Sequence, residues 1–297
     1  MRDPLVKTIV LNWNGGDDTL GCLQSLACQT YKQHCIIVVD NGSVDDSPDR
    51  IAEAYPQVEM IRSSRNLGFA GGNNLGIAAA LQSGAEAVLL LNNDTVAAPD
   101  MVEQLVRPLF SDESIAAVNP KIYYHSEPNH IWSAGATVDR RNGITSQLHI
   151  GELDVGQCDN EYNIDYAVGC ALMTRPDVIA RVGLLDDDFF VYYEEAEWCL
   201  RAEDAGYRIV YIPGARIWHK VSNSLGVESP NAIYYFSRNR LLFMKKTGST
   251  RLARLEAIVA LSKMATSFFV KGDRQRSRAV WRGITDSCFG RFGEARL

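Results

Sequence analysis

The sequence predicts an α/β protein built on a mostly parallel mixed sheet, followed by a helical and basic C-terminal segment. Short β-branched runs alternate with helical patterns over the first third of the chain, and polar residues follow the apolar runs. Charge changes sign along the chain: residues 231–297 carry 14 Lys and Arg against 4 Asp and Glu, net +10, and residues 1–230 carry −16. The 297 residues are 46% hydrophobic and 22% charged, which indicates a globular protein rather than a disordered one.

The alternation predicts four strands and four helices in order. Strands separated by helices of about ten residues imply right-handed crossovers and parallel pairing. The predicted strands are Lys7–Asn12, Cys35–Val39, Val58–Arg62 and the central Ala87–Leu91. The predicted helices begin at Asp17 or Asp18, at Asp46, at Asn73 or Asn74, and at Asp100, all of them residue types that cap helices.

The pattern changes after residue 115 to mixed strands, loops and short helices. The predicted strand segments of this part are Ile115–Asn119, Ala167–Thr174 and Arg208–Ile212. We therefore expect one domain over residues 1–230, with a first half to about 115 and a second half over 116–230. The basic helical segment follows over residues 231–297.

Several classes of protein are disfavoured by what the sequence contains. The seven cysteines form no CxxC pair, which favours reduced residues over a disulfide framework or a zinc site. No GxxxxGK[ST] loop is present, and the glycine cluster at 68–72 is not GxGxxG, which disfavours an NTPase and a dehydrogenase. The N-terminus reaches Asn12 too early for a signal-peptide core, so we expect a cytoplasmic protein. A nucleic-acid partner is not expected.

Polar residues follow three of the predicted strands. In parallel sheets ligands bind beyond the carboxyl ends of the strands, so these residues are expected to form one site. Asp94 is either a cation ligand shared with substrate phosphates or a cap for the following turn. Asp40 is either a turn residue or an acceptor for the imide N–H of a pyrimidine base. The three groups are Asn12-Trp13-Asn14, Asp40-Asn41-Gly42 and Asn92-Asn93-Asp94.

A second group of candidate residues is the acidic segment FFVYYEEAEWCLR at 189–201. Glu194, Glu195 and Glu197 repel one another, which raises at least one proton affinity and favours a general base. The alternative is a solvated helix start, where the helix dipole favours acidic residues. The aromatic flanks count against full solvation. His219, which follows a strand-like run, is either a metal ligand or a structural residue.

Seven collinear segments carry a family resemblance. They are VLNWNG (10–15), VVDNGSVDDS (38–47), NLGFAGGNN (66–74), LLLNNDT (89–95), VGCALMTR (168–175), FFVYYEEAEWCLR (189–201) and IWHKVSNS (217–224). Together they resemble the family-two glycosyltransferases with the GT-A fold, in particular their rhamnosyltransferase-like branch, over about residues 6–246. The resemblance implies a GT-A domain, with a Rossmann-like nucleotide-sugar half and an acceptor half, and an inverting transfer that depends on Mg²⁺ or Mn²⁺.

The resemblance also places the sugar-nucleotide donor at the strand ends and the glycine cluster. It implies that the pyrimidine base is framed by Asn12, Trp13 and Asp40. The ribose and diphosphate would be contacted by Asn66, Gly68 and Asn73. The diphosphate beside the metal would be contacted by Asn93 and Asp94.

The remaining roles implied by the resemblance are those of the metal and the acceptor. Asp94 and His219 would hold the metal ion, and Glu195 would be the catalytic base. Glu194 and Trp198 are expected on the acceptor side. Asp94 closes Asn-Asn-Asp where the family has Asp-x-Asp, which lowers the expected metal affinity. Glu195 replaces an Asp, and a displacement of about an ångström can lower a rate by about 100-fold.

The expected function is transfer of a sugar to a hydroxyl of a glycan or lipid-linked acceptor in cell-surface polysaccharide synthesis. The resemblance to the rhamnosyltransferase-like branch suggests dTDP-rhamnose as the donor. One alternative is a sugar-1-phosphate nucleotidyltransferase, which needs a basic glycine-rich loop that VLNWNGGDD lacks. Another is an inactive module that binds a sugar nucleotide or a glycan without turnover.

The basic C-terminal segment has two interpretations. Its apolar runs, Ile258–Leu261 and Phe268–Val270, are too short to span a bilayer. They are suited to lying at the surface of an anionic membrane. A lipid-linked acceptor would be found at the inner face of such a membrane. Alternatively, the helix packs on the acidic region within one protein or in a homodimer.

Overall fold

The computed structural model describes residues 3–221 and 229–295, in which ten strands form one sheet and two form a separate hairpin. The strands are β1 (Val6–Asn12), β2 (His34–Asp40), β3 (Glu59–Arg62), β4 (Ala87–Asn92), β5 (Thr95–Ala97), β6 (Ile115–Tyr124), β7 (Ile131–Ser133), β8 (Ala136–Asp139), β9 (Ile144–Gln147), β10 (Tyr162–Ile164), β11 (Ala171–Thr174) and β12 (Arg208–His219). The helices are α1 (Gly16–Ala27), α2 (Ser47–Ala54), α3 (Gly68–Gln82), α4 (Met101–Ser111), α5 (Pro176–Val182), α6 (Glu194–Asp204), α7 (Pro230–Lys246), α8 (Arg251–Val270) and α9 (Arg274–Cys288).

The main sheet joins a parallel half to a mixed half. Strands β3, β2, β1 and β4 are parallel and adjacent in that order. Strand β11 lies antiparallel to both β4 and β6, and β12 lies parallel to β6. The predicted α/β fold with a mixed sheet is therefore confirmed. Asn12 is paired with Asp40, and Leu11 with Asn92, so three strand ends meet at one edge.

The predicted start of α3 at Asn73 or Asn74 is wrong. The helix begins at Gly68, and both asparagines lie inside it. The glycines of this stretch are the reason, because they allow the helix to lie very close to the sheet. A Cβ on Gly76 would stand 2.5 Å from the side chain of Ile9 on β1. Close packing of this kind fixes where the helix runs, whatever the capping preference of a single residue.

The predicted cap of α1 is also wrong. The residue before the helix is Gly15, and Asp17 and Asp18 lie in its first turn without capping it. Their carboxylates are engaged elsewhere: Asp17 accepts from Arg50 at 2.5 Å, and Asp18 accepts from Lys220 at 2.9 Å. Acidic residues in the first turn still suit the helix dipole. The other predicted starts, at Asp46 and Asp100, coincide with the residues that precede α2 and α4.

The strands of the second half differ in length from the predicted segments. Strand β12 continues past Ile212, through a register shift at Pro213-Gly214, as far as His219. Strand β6 likewise extends five residues beyond Asn119. Strand β11 covers only the second half of 167–174. Because Pro and Gly disfavour the interior of a strand, Pro213-Gly214 ended the predicted strand too early. The observed strand continues to His219, a candidate metal ligand.

The C-terminal helices pack partly on the main core and partly on one another. Leu242 and Phe243 of α7 belong to the main core, whereas α8 and α9 share a second apolar cluster with α7. Helix α8 buries Ala253, Ala257, Leu261 and Ala265 and leaves larger apolar side chains exposed. Among the described residues, no helix is both long and apolar enough to cross a bilayer. The domain boundary at residue 230 stays a prediction.

Candidate functional site

Asn12, at the end of β1, organises the strand-end cluster. Its amide Nδ2 lies 3.1 Å from Oδ1 of Asp40, 3.1 Å from the hydroxyl of Ser43 and 2.9 Å from the hydroxyl of Ser47. Its Oδ1 accepts from the Thr19 hydroxyl at 2.8 Å. Asn12 is fully buried, and Asp40 is 4% exposed. Asn12 therefore fixes the Asp40 carboxylate in place, and a direct contact with the donor stays a prediction.

Trp13 stands at the surface beside this cluster, with 38% of the residue exposed. The loop that carries it is fixed by Asn14, which has a left-handed φ of 51°. The Asn14 amide donates to the Ser43 hydroxyl at 2.9 Å, and its side chain accepts from the Val44 amide at 2.8 Å. An exposed indole on a fixed loop next to Asp40 is compatible with the predicted frame for a pyrimidine base.

Asn41 belongs to one of the predicted strand-end groups, but the sequence assigned it no role of its own. Its Nδ2 donates to Oδ1 of Asn66 and to the carbonyl of Gly68, both at 3.0 Å, and its Oδ1 accepts from the Leu67 amide at 2.9 Å. Asn41 thus ties the end of β2 to the start of α3, where the predicted donor residues Asn66 and Gly68 lie. Asn73, 2% exposed, donates to the Phe69 carbonyl. The turn sequence DNGS was the one signal for Asn41.

Asp94 and His219 lie side by side although 125 positions separate them in the sequence. Strand β5 pairs antiparallel with β12 and sets Thr95 opposite His219. His219 Nε2 stands 3.1 Å from Asp94 Oδ1, and the two residues are 7% and 6% exposed. Since residues 95–97 form a strand, the alternative of a capped turn after Asp94 is wrong. Asn93 donates to the Thr19 hydroxyl at 3.0 Å, which joins this pair to the Asn12 cluster.

This pair fits a divalent cation. His219 turns Nε2 towards the Asp94 carboxylate, so a cation shared by the two residues would be bound through Nε2. His219 Nδ1 is buried without a hydrogen-bond partner, so no other group ties the ring to one tautomer. Carboxylate and imidazole are ligands for Mn²⁺, and Mg²⁺ is bound by one or two carboxylates together with water and substrate phosphates. Across residues 3–221 and 229–295, no group of three or more His, Cys, Asp or Glu side chains is placed to hold a metal. The described part of the chain thus brings two candidate ligands together, and a diphosphate could supply others.

The acidic segment is neither solvated nor uniform. Glu194 is 2% exposed, and Oε2 of both Glu194 and Glu195 is buried without a hydrogen-bond partner. Glu195 Oε1 is approached by the Gly169 amide at 3.4 Å. Burial raises the pKa of the Glu195 carboxyl, and burial together with the neighbouring Glu195 charge raises the pKa of the Glu194 carboxyl well above its ordinary value. Raised carboxyl pKa values at a cleft are typical of general bases.

The other two candidates in this segment are held by the fold. Glu197 accepts from Arg201 Nε through both carboxylate oxygens at 2.9 Å, so it forms an ion pair within α6. Trp198 is 3% exposed and donates its indole N–H to the Gly183 carbonyl at 2.8 Å. Its contact with an acceptor stays a prediction. The role of Glu195 as the proton acceptor likewise stays a prediction.

We call the strand ends around Asn12 and Asp94, together with the start of α3, the donor edge, because the donor is predicted to bind there. A direct contact links this donor edge to the acidic segment. The Phe69 amide at the start of α3 donates to the Phe190 carbonyl at 2.6 Å. A Cβ on Gly68 would stand 2.2 Å from the same carbonyl oxygen, so glycine is required there. Gly68 has a φ of +74°, which also favours glycine. The predicted Gly68 thus lies between the donor edge and the segment that leads to Glu195.

The model of glycosyl transferase family 2 matches residues 8–183, more than half of the chain. The chain belongs to glycosyl transferase family 2. The match covers the parallel half of the sheet, the Asn12 cluster, Asp94 and strand β11. The predicted family is therefore confirmed. Glu195 and His219 lie beyond the matched residues.

The relatives of this family 2 chain include rhamnosyltransferases. The dTDP-rhamnosyl transferase RfbF of Shigella flexneri is 25% identical over 246 residues, which cover 80% of each chain. The N-acetylglucosaminyl-diphospho-decaprenol L-rhamnosyltransferase of Mycobacterium tuberculosis is 21% identical over 268 residues, 81% of this chain and 84% of that one. The mannosyltransferase PcManGT from Pyrobaculum calidifontis, solved with GDP-Man and Mn²⁺, matches with a TM-score of 0.62 at 14% identity over 98% of this chain and 88% of that one. The GT-A fold is thereby confirmed.

Proposed function

We propose that this family 2 chain transfers a sugar, with inversion, from a nucleoside diphosphate sugar to a hydroxyl of a glycan or lipid-linked acceptor in polysaccharide synthesis. The observation that carries the proposal is the Glu195 carboxylate. It has a raised pKa and one oxygen without a partner, and it follows the segment that touches the donor edge at Gly68. Family membership favours this reaction over nucleotidyl transfer.

The donor is proposed to be dTDP-rhamnose. The buried Asp40 carboxylate would accept the imide N–H of thymine, beside the exposed indole of Trp13. The name of the RfbF relative supports this donor. The glycine-lined start of α3, with Asn66 and Asn73 nearby, would take the ribose and diphosphate. Asn41 and Asn12 would hold these groups in place from behind.

Asp94 and His219 would hold the Mg²⁺ or Mn²⁺ ion, with Asn93 on the diphosphate. A bound divalent ion neutralises the negative charge that develops on the diphosphate as it leaves. The Mn²⁺ and GDP-Man of the PcManGT structure support such an ion. The chain's own contribution is to keep the carboxylate and the imidazole 3.1 Å apart on two paired strands.

Glu195 would take the proton from the acceptor hydroxyl. The hydroxyl oxygen then forms its bond to the anomeric carbon while the bond from that carbon to the diphosphate oxygen breaks, and the electron pair leaves with the diphosphate. A single displacement inverts the anomeric centre. General-base catalysis of this kind contributes about 10² to 10⁴-fold to a rate.

A panel of sugar nucleotides tests the proposal. The purified protein is incubated with each donor, Mg²⁺ or Mn²⁺, and a lipid-linked or glycan acceptor, and nucleoside diphosphate release is measured. We expect acceptor-dependent diphosphate release, greatest with dTDP-rhamnose. Pyrophosphate release from a nucleoside triphosphate would instead support a nucleotidyltransferase. Donor binding without turnover for every donor and acceptor would support an inactive binding module.

A peripheral contact with an anionic membrane is part of the same proposal. Leu252, Leu255 and Val259 of α8 are 66%, 56% and 47% exposed, so they do not pack on the acidic region of this chain. The hydroxyls of Ser262 and Thr266, on the same face, donate to backbone carbonyls one turn earlier and present no free donor to lipid. The net charge of +10 over residues 231–297 suits an anionic surface. A homodimer through this face is the alternative outcome.

A further inference from the structure

The segment that leads into Glu195 has an unusual backbone. Phe190, Tyr192 and Tyr193 have φ values of +67°, +69° and +80°. Side chains with a Cβ disfavour this left-handed region, and such conformations persist only where the surroundings hold them. Tyr193 is the residue directly before α6, so its conformation sets the direction in which the helix, and Glu195 on it, begins.

Two buried side chains of α7 hold this segment through its carbonyl oxygens. Asn239 Nδ2 lies 2.8 Å from the carbonyl oxygen of Phe189, 2.7 Å from that of Val191 and 3.0 Å from that of Tyr192. Arg238 donates to the same Phe189 carbonyl at 2.9 Å. It also donates to the carbonyls of residues 188 and 293. Both side chains are fully buried, and Arg238 Nε donates to Asn239 Oδ1 at 2.9 Å.

Aromatic rings of α7 support the same segment. Phe190 stacks on Tyr235 with ring centroids 5.3 Å apart, and Tyr192 stacks on Phe236 at 4.0 Å. The hydrogen bonds and the stacking therefore come from two pairs of neighbouring residues within 235–239 of one helix. An arginine without solvent exposure is rarely retained unless its donors are satisfied, and here they are directed at backbone oxygens.

We propose that Arg238 and Asn239 are positioning residues that set the place of the Glu195 carboxylate and of the Gly68 turn. This inference rests on the proposed function of Glu195 as the base. The Glu195 carboxylate has one long contact, 3.4 Å from the Gly169 amide to Oε1, and its Oε2 has no hydrogen-bond partner, so its position depends mainly on the backbone that carries it. The same segment offers the Phe190 carbonyl to the Phe69 amide, so loosening it disturbs both sides of the site. A misplacement of about 1 Å can lower a rate by about 100-fold.

The main test uses the nearly isosteric variant Asn239→Asp. It replaces a donor by an acceptor that faces three carbonyl oxygens, so the segment is released while the volume is kept. With the donor that the wild type uses, we expect kcat to fall by about 100-fold. The donor Kd should rise by a smaller factor, about three- to tenfold, because the Gly68 turn is loosened as well. The milder variant Arg238→Lys keeps the charge and loses the fork geometry, and we expect a smaller fall in kcat.

The matched control is Leu241→Ala on the same helix. Leu241 is 4% exposed and packs in the second apolar cluster, with α8 and α9. This variant removes buried apolar surface of α7 on the side of those two helices, and we expect kcat per folded protein to remain that of the wild type. An equal loss of kcat in Leu241→Ala and Arg238→Lys would overturn the positioning role.

Hydrogen exchange gives a readout that does not depend on activity. In Asn239→Asp or Arg238→Lys we expect faster amide exchange over residues 188–197 and unchanged exchange over α8 and α9. Faster exchange throughout the chain, with kcat lowered only in proportion to the folded fraction, would show that the pair is merely structural. If the wild type turns over no sugar nucleotide, the proposed function fails. In that case, faster amide exchange confined to residues 188–197 would still show that α7 holds this segment. Faster exchange throughout the chain would overturn that conclusion.

Discussion

The donor edge and the acidic segment are built in opposite ways. At the donor edge, side chains satisfy one another: Asn12 contacts Asp40 and accepts from Thr19, and Thr19 accepts from Asn93. In the acidic segment, carboxylate oxygens of Glu194 and Glu195 are buried without partners. A satisfied network fixes a binding surface, whereas an unsatisfied buried carboxylate has an altered proton affinity. This difference supports the proposed roles, in which the first region binds the donor and the second takes the proton.

The supports of the two regions differ as well. The donor edge rests on strand ends that pair in register, so local sequence places its residues. The acidic segment rests on Arg238 and Asn239, from a helix that begins 36 residues after α6 starts. A site can thus depend on a part of the chain that contributes no group to the chemistry.

The largest effect is expected for Glu195→Gln. The variant keeps the shape of the side chain and removes the proton acceptor, so kcat should fall by about 10² to 10⁴-fold with little change in donor affinity. Steady-state kinetics and calorimetric donor binding measure the two effects separately. Glu197→Gln is the matched control, since that carboxylate is paired with Arg201. Loss of turnover in Glu197→Gln but not in Glu195→Gln would reverse the assignment.

The next effect concerns Asp94→Ala at the donor edge. Removal of this carboxylate should abolish the part of nucleoside diphosphate affinity that depends on Mn²⁺, a loss of about tenfold or more, because one of two protein ligands is gone. Calorimetry with and without the metal measures it. Asp112→Asn, which disturbs a surface ion pair with Arg208, is the control. Metal-dependent affinity equal to the wild type would remove Asp94 from the metal site.

A smaller effect is expected on stability in Glu194→Gln. Burial and the Glu195 charge raise the folded-state pKa of Glu194, so folding favours its protonated form. This contribution is fully present below the ordinary Glu pKa of about 4.3 and is lost as pH rises through the raised value. At pH 8 the variant should therefore be more stable by on the order of 1 kcal/mol, and near pH 4 equal to the wild type. Urea unfolding at the two pH values measures this, and a variant less stable at pH 8 would contradict it.

The smallest effect on catalysis is expected at the outer face of the C-terminal helices. Leu252, Leu255 and Val259 replaced together by Ser should reduce cosedimentation with phosphatidylglycerol vesicles at low salt by about tenfold, through lost apolar burial. Turnover of a soluble acceptor should not change, because the inner face of α7 is intact. The control replaces Leu153 and Val155, 52% and 77% exposed outside these helices, by Ser.

Two outcomes would contradict membrane contact by α8. Vesicle binding of the triple variant equal to that of the wild type would exclude this face. A dimer of the wild type, found by light scattering and lost in the triple variant, would instead assign the face to a second copy of the chain.

The sequence by itself determined the parallel strands, the polar strand ends and the family, because strand periodicity and turn residues are local properties of the chain. Collinear motifs also indicated Asp94, His219 and Glu195. The starts of α1 and α3 were decided by packing and ion pairs, which outweigh the capping preference of a single residue. The pairing of β5 with β12, which brings Asp94 to His219, joins distant parts of the chain.

Only the tertiary structure revealed how Arg238 and Asn239 hold the segment before Glu195. Nothing in a local pattern marks these residues, since their partners are backbone carbonyls about 50 positions away, and a carbonyl oxygen has no sequence signature. No local pattern predicted that one carboxylate oxygen each of Glu194 and Glu195 is buried without a hydrogen-bond partner, since burial depends on which elements cover these side chains. Local sequence thus fixes which groups can react, and long-range packing fixes their orientation and proton affinity.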